Sequence, residues 1–139
     1  MKNDYLSEKV SVNMNTSILS NIDLLVDNGY FSNRSDFINQ AVREAINNHQ
    51  ETLNRIISTN MEASKRNFDE WFIGVYNLDN GILEEAKKSG QKMTLSGYGV
   101  LIINKNIDKE LLYKVVDNIT IRGSVIGSPD IKEYYEIKK

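Results

Sequence analysis

Polar and apolar residues alternate along Lys9-Val10-Ser11-Val12-Asn13-Met14. In an extended segment this puts Val10, Val12 and Met14 on one face and Lys9, Ser11 and Asn13 on the other, so a short strand with one dry face is expected. The period then changes. Leu19, Ile22, Leu25 and Val26 recur at helical spacing, Asn15-Thr16-Ser17 offers capping side chains ahead of them, and Asn28-Gly29 supplies an end. A second helix opens at Ser32-Asn33-Arg34-Ser35, with Phe37, Ile38, Ala41, Val42, Ala45 and Ile46 as its expected buried stripe. No Gly or Pro occurs between Gly29 and Gly74, and apolar positions continue through Leu53, Ile56, Ile57, Met61, Ala63 and Phe68. The helix is therefore expected to run on, or to restart near Gln50, as far as about Asp69. Such a helix packs either against its counterpart in a second copy, which the near-3.5 spacing suits, or against the chain's own C-terminal half.

Past Glu70 strand-like apolar clusters alternate with helical stretches, and the glycines expose an internal repeat. Gly74-Val75-Tyr76, Gly99-Val100-Leu101 and Gly123-Ser124-Val125 lie 25 and 24 residues apart, and an isoleucine follows each glycine by eight residues, at Ile82, Ile107 and Ile131. Ala86, Leu111 and Tyr135 occupy the matching twelfth positions. Each repeat reads as a strand (Trp71 to Tyr76, Leu95 to Ile103, Ile119 to Ile126) followed by a turn, with helices from Leu83 to Lys88 and from Lys109 to Val116. Succession of strand, helix and strand favours parallel strands with right-handed crossovers. The expected result is a leucine-rich-repeat-like α/β solenoid or a small sheet of three to four strands with helices on one face. The chain thus divides into an α+β unit over 1–49, a helical connector over 50–69 and an α/β repeat unit over 70–139.

A lone strand cannot satisfy its own row of N–H and C=O groups, and burying them unpaired is costly. Residues 9–14 need a partner, and the simplest is the same strand of a second copy, antiparallel across a two-fold axis. Val10, Val12 and Met14 then form a shared dimer core. Such a two-stranded ribbon displays Lys9, Ser11 and Asn13 twice on one face, and it fits the major groove of double-stranded DNA.

Composition adds mostly exclusions. The 139 residues are 40% hydrophobic and 26% charged, as in ordinary globular domains. No apolar run is long enough to span a bilayer, and Met1-Lys2-Asn3-Asp4-Tyr5 lacks the apolar core of a signal peptide, so no membrane partner and a cytoplasmic location are expected. The absence of cysteine excludes disulfides and thiolate metal sites, and a single histidine, His49, excludes multi-histidine sites within one chain. No cofactor or metal is expected, and His49 is assigned no role. Charge argues against strong non-specific nucleic-acid binding, because Lys2, Lys9, Arg34 and Arg43 face Asp4, Glu8, Asp23, Asp27, Asp36 and Glu44 in the first fifty residues. Affinity must then come from a few well-placed groups repeated by symmetry.

The alternating strand, the helix ending in Asn28-Gly29 and the entry Ser32-Asn33-Arg34-Ser35-Asp36-Phe37-Ile38 together resemble the ribbon-helix-helix family of DNA-binding transcriptional regulators, of the Arc, MetJ and CopG type, over roughly residues 8–49. That resemblance implies base contacts from Lys9, Ser11 and Asn13. It also implies a phosphate clamp of backbone N–H groups at the start of the second helix, mapping onto Ser32, Asn33 and Arg34. A helix N-terminus suits that task, since it presents free donors and partial positive charge. Two features depart from the family pattern. Asn15 stands where many members carry proline, and only one of the three reading positions is basic. Nickel-responsive members ligate metal with histidines and cysteine, which are missing here.

Enzyme signatures are absent: there is no Ser/His/Asp set, no P-loop, and Gly97-Tyr98-Gly99 lacks the rest of a dinucleotide-binding fingerprint. The carboxylates Glu84-Glu85, Asp108 with Glu110 and Asp130 with Glu133 read as solvated helix faces and caps. The expectation is a homodimeric regulator, a repressor on a palindromic operator, whose C-terminal unit serves oligomerisation or sensing of a protein or small-molecule effector. The alternative is a plasmid partition adaptor or an antitoxin whose C-terminal unit binds a protein partner. The patterned, apolar C-terminal half weakens the antitoxin form, because antitoxin tails are commonly polar.

Overall fold

A computed structural model describes residues 7–137, so the Met1 to Tyr5 segment considered above for a leader lies outside the described residues. The chain divides into two compact units, one of Glu8–Ile56 and one built from Ile57 onward.

In the first unit, residues 8–15 pair with no strand among the described residues. Helix α1 (Thr16–Asp27) is capped by Asn15, whose side chain accepts the Ser17 N–H at 2.8 Å. It ends through Gly29 at φ 81°, where the Gly29 N–H reaches the Val26 carbonyl and the Tyr30 N–H the Leu25 carbonyl, both at 3.0 Å. This pair of bonds closes the helix only if the intervening residue adopts the left-handed conformation, which glycine does without strain. Helix α2 (Arg34–Asn48) starts from Asn33, whose side chain accepts the Asp36 N–H at 2.8 Å. Ile22 is the only fully buried hydrophobic side chain of this unit, at 2% exposure. The stripe expected to be buried on α2 is not covered in the single chain: Ile38, Val42 and Ile46 are exposed, and only Phe37 is half-buried, edge-on to Phe31 at 4.9 Å. Two helices have two apolar faces but only one contact between them, so the remaining face stays open.

Helix α3 (Gln50–Arg66) is a restart rather than a continuation. The break falls at His49, whose Nδ1 lies 2.8 Å from the Ala45 carbonyl oxygen while its backbone N–H turns to Ile46 at 3.0 Å. The imidazole thus occupies the carbonyl that the next helical hydrogen bond would use, and the ladder is interrupted without glycine or proline.

The second unit holds three strands, β1 (Glu70–Leu78), β2 (Met93–Ile103) and β3 (Val116–Ile126), in one parallel sheet of order β1-β2-β3. Helices α4 (Asn80–Lys88) and α5 (Lys109–Val115) connect them, and α6 (Pro129–Tyr134) follows β3. Asp79 caps α4 and Asp108 caps α5, each accepting the backbone N–H three residues on. The strands begin one to three residues earlier than their apolar pattern suggests. At β2 the Asp69 carboxylate accepts the Thr94 N–H at 2.9 Å, and β3 follows α5 with no intervening turn. Leu78, Leu83, Leu95, Leu101, Leu112, Val116 and Ile131 are fully enclosed between the sheet and its helices.

The repeat fixes the register. Gly74 lies beside Gly99, and Gly99 beside Gly123, forming one row across the sheet at φ 102°, 129° and 143°. A Cβ on Gly99 would overlap the Gly74 carbonyl oxygen, and one on Gly123 would overlap the Gly99 carbonyl oxygen. At Gly74 a Cβ would meet nothing within 4 Å. A kink in one parallel strand must be matched by its neighbour if pairing is to continue, which is why the glycines recur at the sheet's own spacing.

Candidate nucleic-acid interface

Lys9, Ser11 and Asn13 are exposed on the segment ahead of α1. Their apolar alternates are exposed as well: Val10 at 75% and Val12 at 73%, with Met14 half-buried. Both faces of the segment are therefore open in one chain.

Ser32, Asn33 and Arg34 stand together at the opening of α2, and the local chemistry of that turn is more acidic than its sequence suggests. Asn33 accepts the Asp36 N–H, and the Asp36 carboxylate accepts the N–H of Ser32, one residue before the cap, at 3.0 Å. The Arg34 side chain turns back to α1. Its Nε donates to Asp23 Oδ1 at 2.7 Å and its Nη2 to Asp23 Oδ2 at 2.8 Å, a two-pronged pair whose planar geometry only arginine supplies. The hydrogen bond from Arg34 holds the Asp23 carboxyl below its usual range, and the same bond holds the guanidinium above its own. The guanidinium is thus committed to Asp23. What the turn leaves open are the backbone N–H groups in the first positions of α2, which lack intrahelical acceptors by geometry.

Asp23 is the residue that reading the sequence missed. Its place on the outer face of α1 marks it as solvated, and nothing local announces a partner eleven positions away. Lys9, Ser11 and Asn13 are brought near one another by chain continuity alone, and Ser32, Asn33 and Arg34 likewise.

In the second unit a cavity of about 290 Å³ opens at the carboxyl ends of β2 and β3, lined by Ile103, Lys105, Ile107, Lys109, Ile126 and Ile131 among others. Lys109 donates to Asp130, which ties α5 to α6 and lowers the Asp130 carboxyl to about 2. Among the described residues no group of three His, Cys, Asp or Glu is placed to hold a metal ion, and no helix is long and apolar enough to cross a membrane.

No curated protein and no solved structure matches the chain. The sequence model described as Ribbon-Helix-Helix transcriptional regulator family matches residues 5–132, well beyond the 8–49 segment that carries the recognisable motif and through the sheet of the second unit. With the segment ahead of α1, the paired helices and most of the C-terminal unit inside that match, the chain belongs to the ribbon-helix-helix family of transcriptional regulators.

Proposed function

We propose that the protein is a homodimeric repressor that reads a palindromic operator with an antiparallel ribbon made of residues 9–14 from two copies. One observation carries this reading. The first unit leaves Val10, Val12, Ile38, Val42 and Ile46 uncovered around a single buried side chain, too little core to hold a fold unaided. A second copy placed across a two-fold axis closes the open strand and covers the open stripe at once, with Val10, Val12 and Met14 as the shared core.

The opposite face of the ribbon then presents Lys9, Ser11 and Asn13 twice to the base edges. Asn13 suits adenine N6 and N7, and Lys9 suits guanine or phosphate. Phosphate is held at the Ser32-Asn33-Arg34 turn by backbone donors other than the Ser32 N–H, which Asp36 engages, and not by the Arg34 side chain, which Asp23 engages. Residues 1–49 act as the DNA-binding domain, 50–69 as connector and 70–139 as a leucine-rich-repeat-like unit for oligomerisation or sensing. The Lys105 side chain beside an apolar cavity suits a small anionic effector for the sensing role, Lys109 being engaged by Asp130. The protein acts in the cytoplasm and carries out no catalysis.

The test is a gel shift on the DNA upstream of the protein's own gene, comparing wild type with Asn13→Ala. Loss of a good base contact costs about 1–3 kcal/mol, so specific affinity should fall about fivefold or more while the circular dichroism spectrum stays unchanged. Equal affinity of the two proteins removes Asn13 from the reading set.

A further inference from the structure

The glycine row ends differently at its two sides. Gly99 and Gly123 each need to lack a side chain because the carbonyl of the preceding strand's glycine occupies the place where a Cβ would stand. Gly74 has the same positive φ, yet among the described residues its corresponding place is empty, because none of their strands precedes β1 in the sheet. At the other side, β3 ends the row, and among the described residues no following strand receives the Gly123 carbonyl. One edge thus carries an unfilled socket, and the other carries the group that fills it between every other pair of strands.

We propose that the β3 edge of one copy takes the β1 edge of a second copy in parallel, with Gly123 opposite Gly74 of that copy, so that the sheet continues from chain to chain. A generic strand would be refused, since the kink at the glycine row can be continued only by a strand with a glycine in the same register; the strands known to have one are this chain's own. Extending the observed register sets Ile121 beside Phe72 and Val125 beside Tyr76 of the second copy, apolar against apolar on the helix-bearing face. Space for that contact exists, because a groove of about 450 Å³ runs along β3 past Ile121, Val125 and Ile137. On β1, Ile73 and Val75 stand 50% and 48% exposed. Neither edge strand has the lysine or proline with which exposed edges usually discourage pairing. The contact is heterologous, using different surfaces on the two copies, so it propagates into a ring or an open row instead of stopping at a pair. It stands on the second unit alone and does not depend on how the first unit reads DNA.

The absence of cysteine gives a clean background for cross-linking the full-length protein. In the proposed register Ser124 lies opposite Val75 of the second copy, at the spacing of adjacent strands, about 4.8 Å, which a disulfide can bridge. Within one chain β2 intervenes between these positions, putting them at about twice that spacing and out of reach. Oxidising an equal mixture of Val75→Cys and Ser124→Cys proteins should give a covalent dimer that neither gives alone, and the double variant should give a ladder of multimers. Replacing Ser124→Cys by Asn118→Cys, six residues out of register, should abolish the product. Self-cross-linking of either single variant, equal product from the Asn118 variant, or no product from a mixture whose proteins melt like wild type would each overturn the proposal.

Discussion

Asp23 and Arg34 show how one side-chain pair sets what the turn at the start of α2, the proposed phosphate clamp, offers to a ligand. By holding the guanidinium, Asp23 fixes the approach of α2 to α1 and withholds a cation from solvent. Asp23→Asn should therefore release Arg34 toward the phosphate backbone. The expected readout is a salt dependence of DNA affinity steeper by about one unit of log–log slope per half-site, since each added phosphate contact releases about one counterion. An unchanged slope would mean that the freed side chain finds no phosphate. The pair also has a predictable acid limit. Because Arg34 depresses the Asp23 carboxyl, its contribution to folding is present above the usual value of 3.8 and fades as pH falls through the lower folded value. Following the Asp23 carboxyl by NMR titration checks the direction directly.

Elements here are defined by backbone chemistry as much as by apolar period. Two glycines make the contrast quantitative. Gly29 needs its positive φ but has open space around it, so Gly29→Ala should cost only conformational strain, about 1 kcal/mol. At Gly99 the same substitution adds collision with the Gly74 carbonyl inside a paired ladder, and a loss of about 3 kcal/mol or more is expected. Urea midpoints of the two variants, measured together, should separate clearly. The ribbon is tested at the same scale by Met14→Asp, which places a charge in the shared core. Light scattering should show the proposed pairing of the first units lost along with specific DNA binding. A variant that still binds operator with its first unit unpaired would contradict the intermolecular ribbon.

At the scale of the whole molecule, the two units carry unequal cores and should respond to different conditions. The first unit has one fully buried hydrophobic side chain, whereas the second encloses an apolar layer that includes the Tyr135 ring. Stability of the first unit is expected to rise with protein concentration, because association and folding are then one process. The second unit should weaken in alkali. Burial, reinforced by Glu70, pushes the Tyr76 hydroxyl up to about 12, and burial raises Tyr135, whose hydroxyl donates to the Leu112 and Val116 carbonyls. A phenol whose folded value lies above the unfolded value of 10 contributes stability that is whole below pH 10 and is lost as pH climbs toward the folded value. Trp71, the only tryptophan, lies on β1 and reports this unit by fluorescence. Its urea midpoint should fall between pH 10 and pH 12.

Local physics was legible from the residues alone wherever a single segment decided the outcome. Asn15, Asn33 and Asp108 cap as short side chains before a helix do, Gly29 ends α1, and the 25- and 24-residue spacing of the glycines became the register of a parallel sheet. Period and capping are properties of adjacent residues, and a repeat is a statement about spacing that survives folding. What only the tertiary structure decided were the relations between segments with no fixed separation: that Asp23 meets Arg34, that the α2 stripe stays uncovered in one chain, that His49 breaks the helix through its own ring, and that Gly74 keeps an empty place where Gly99 and Gly123 have none. Each depends on which surfaces come together in space, and a linear pattern records which surfaces a segment has without recording what covers them.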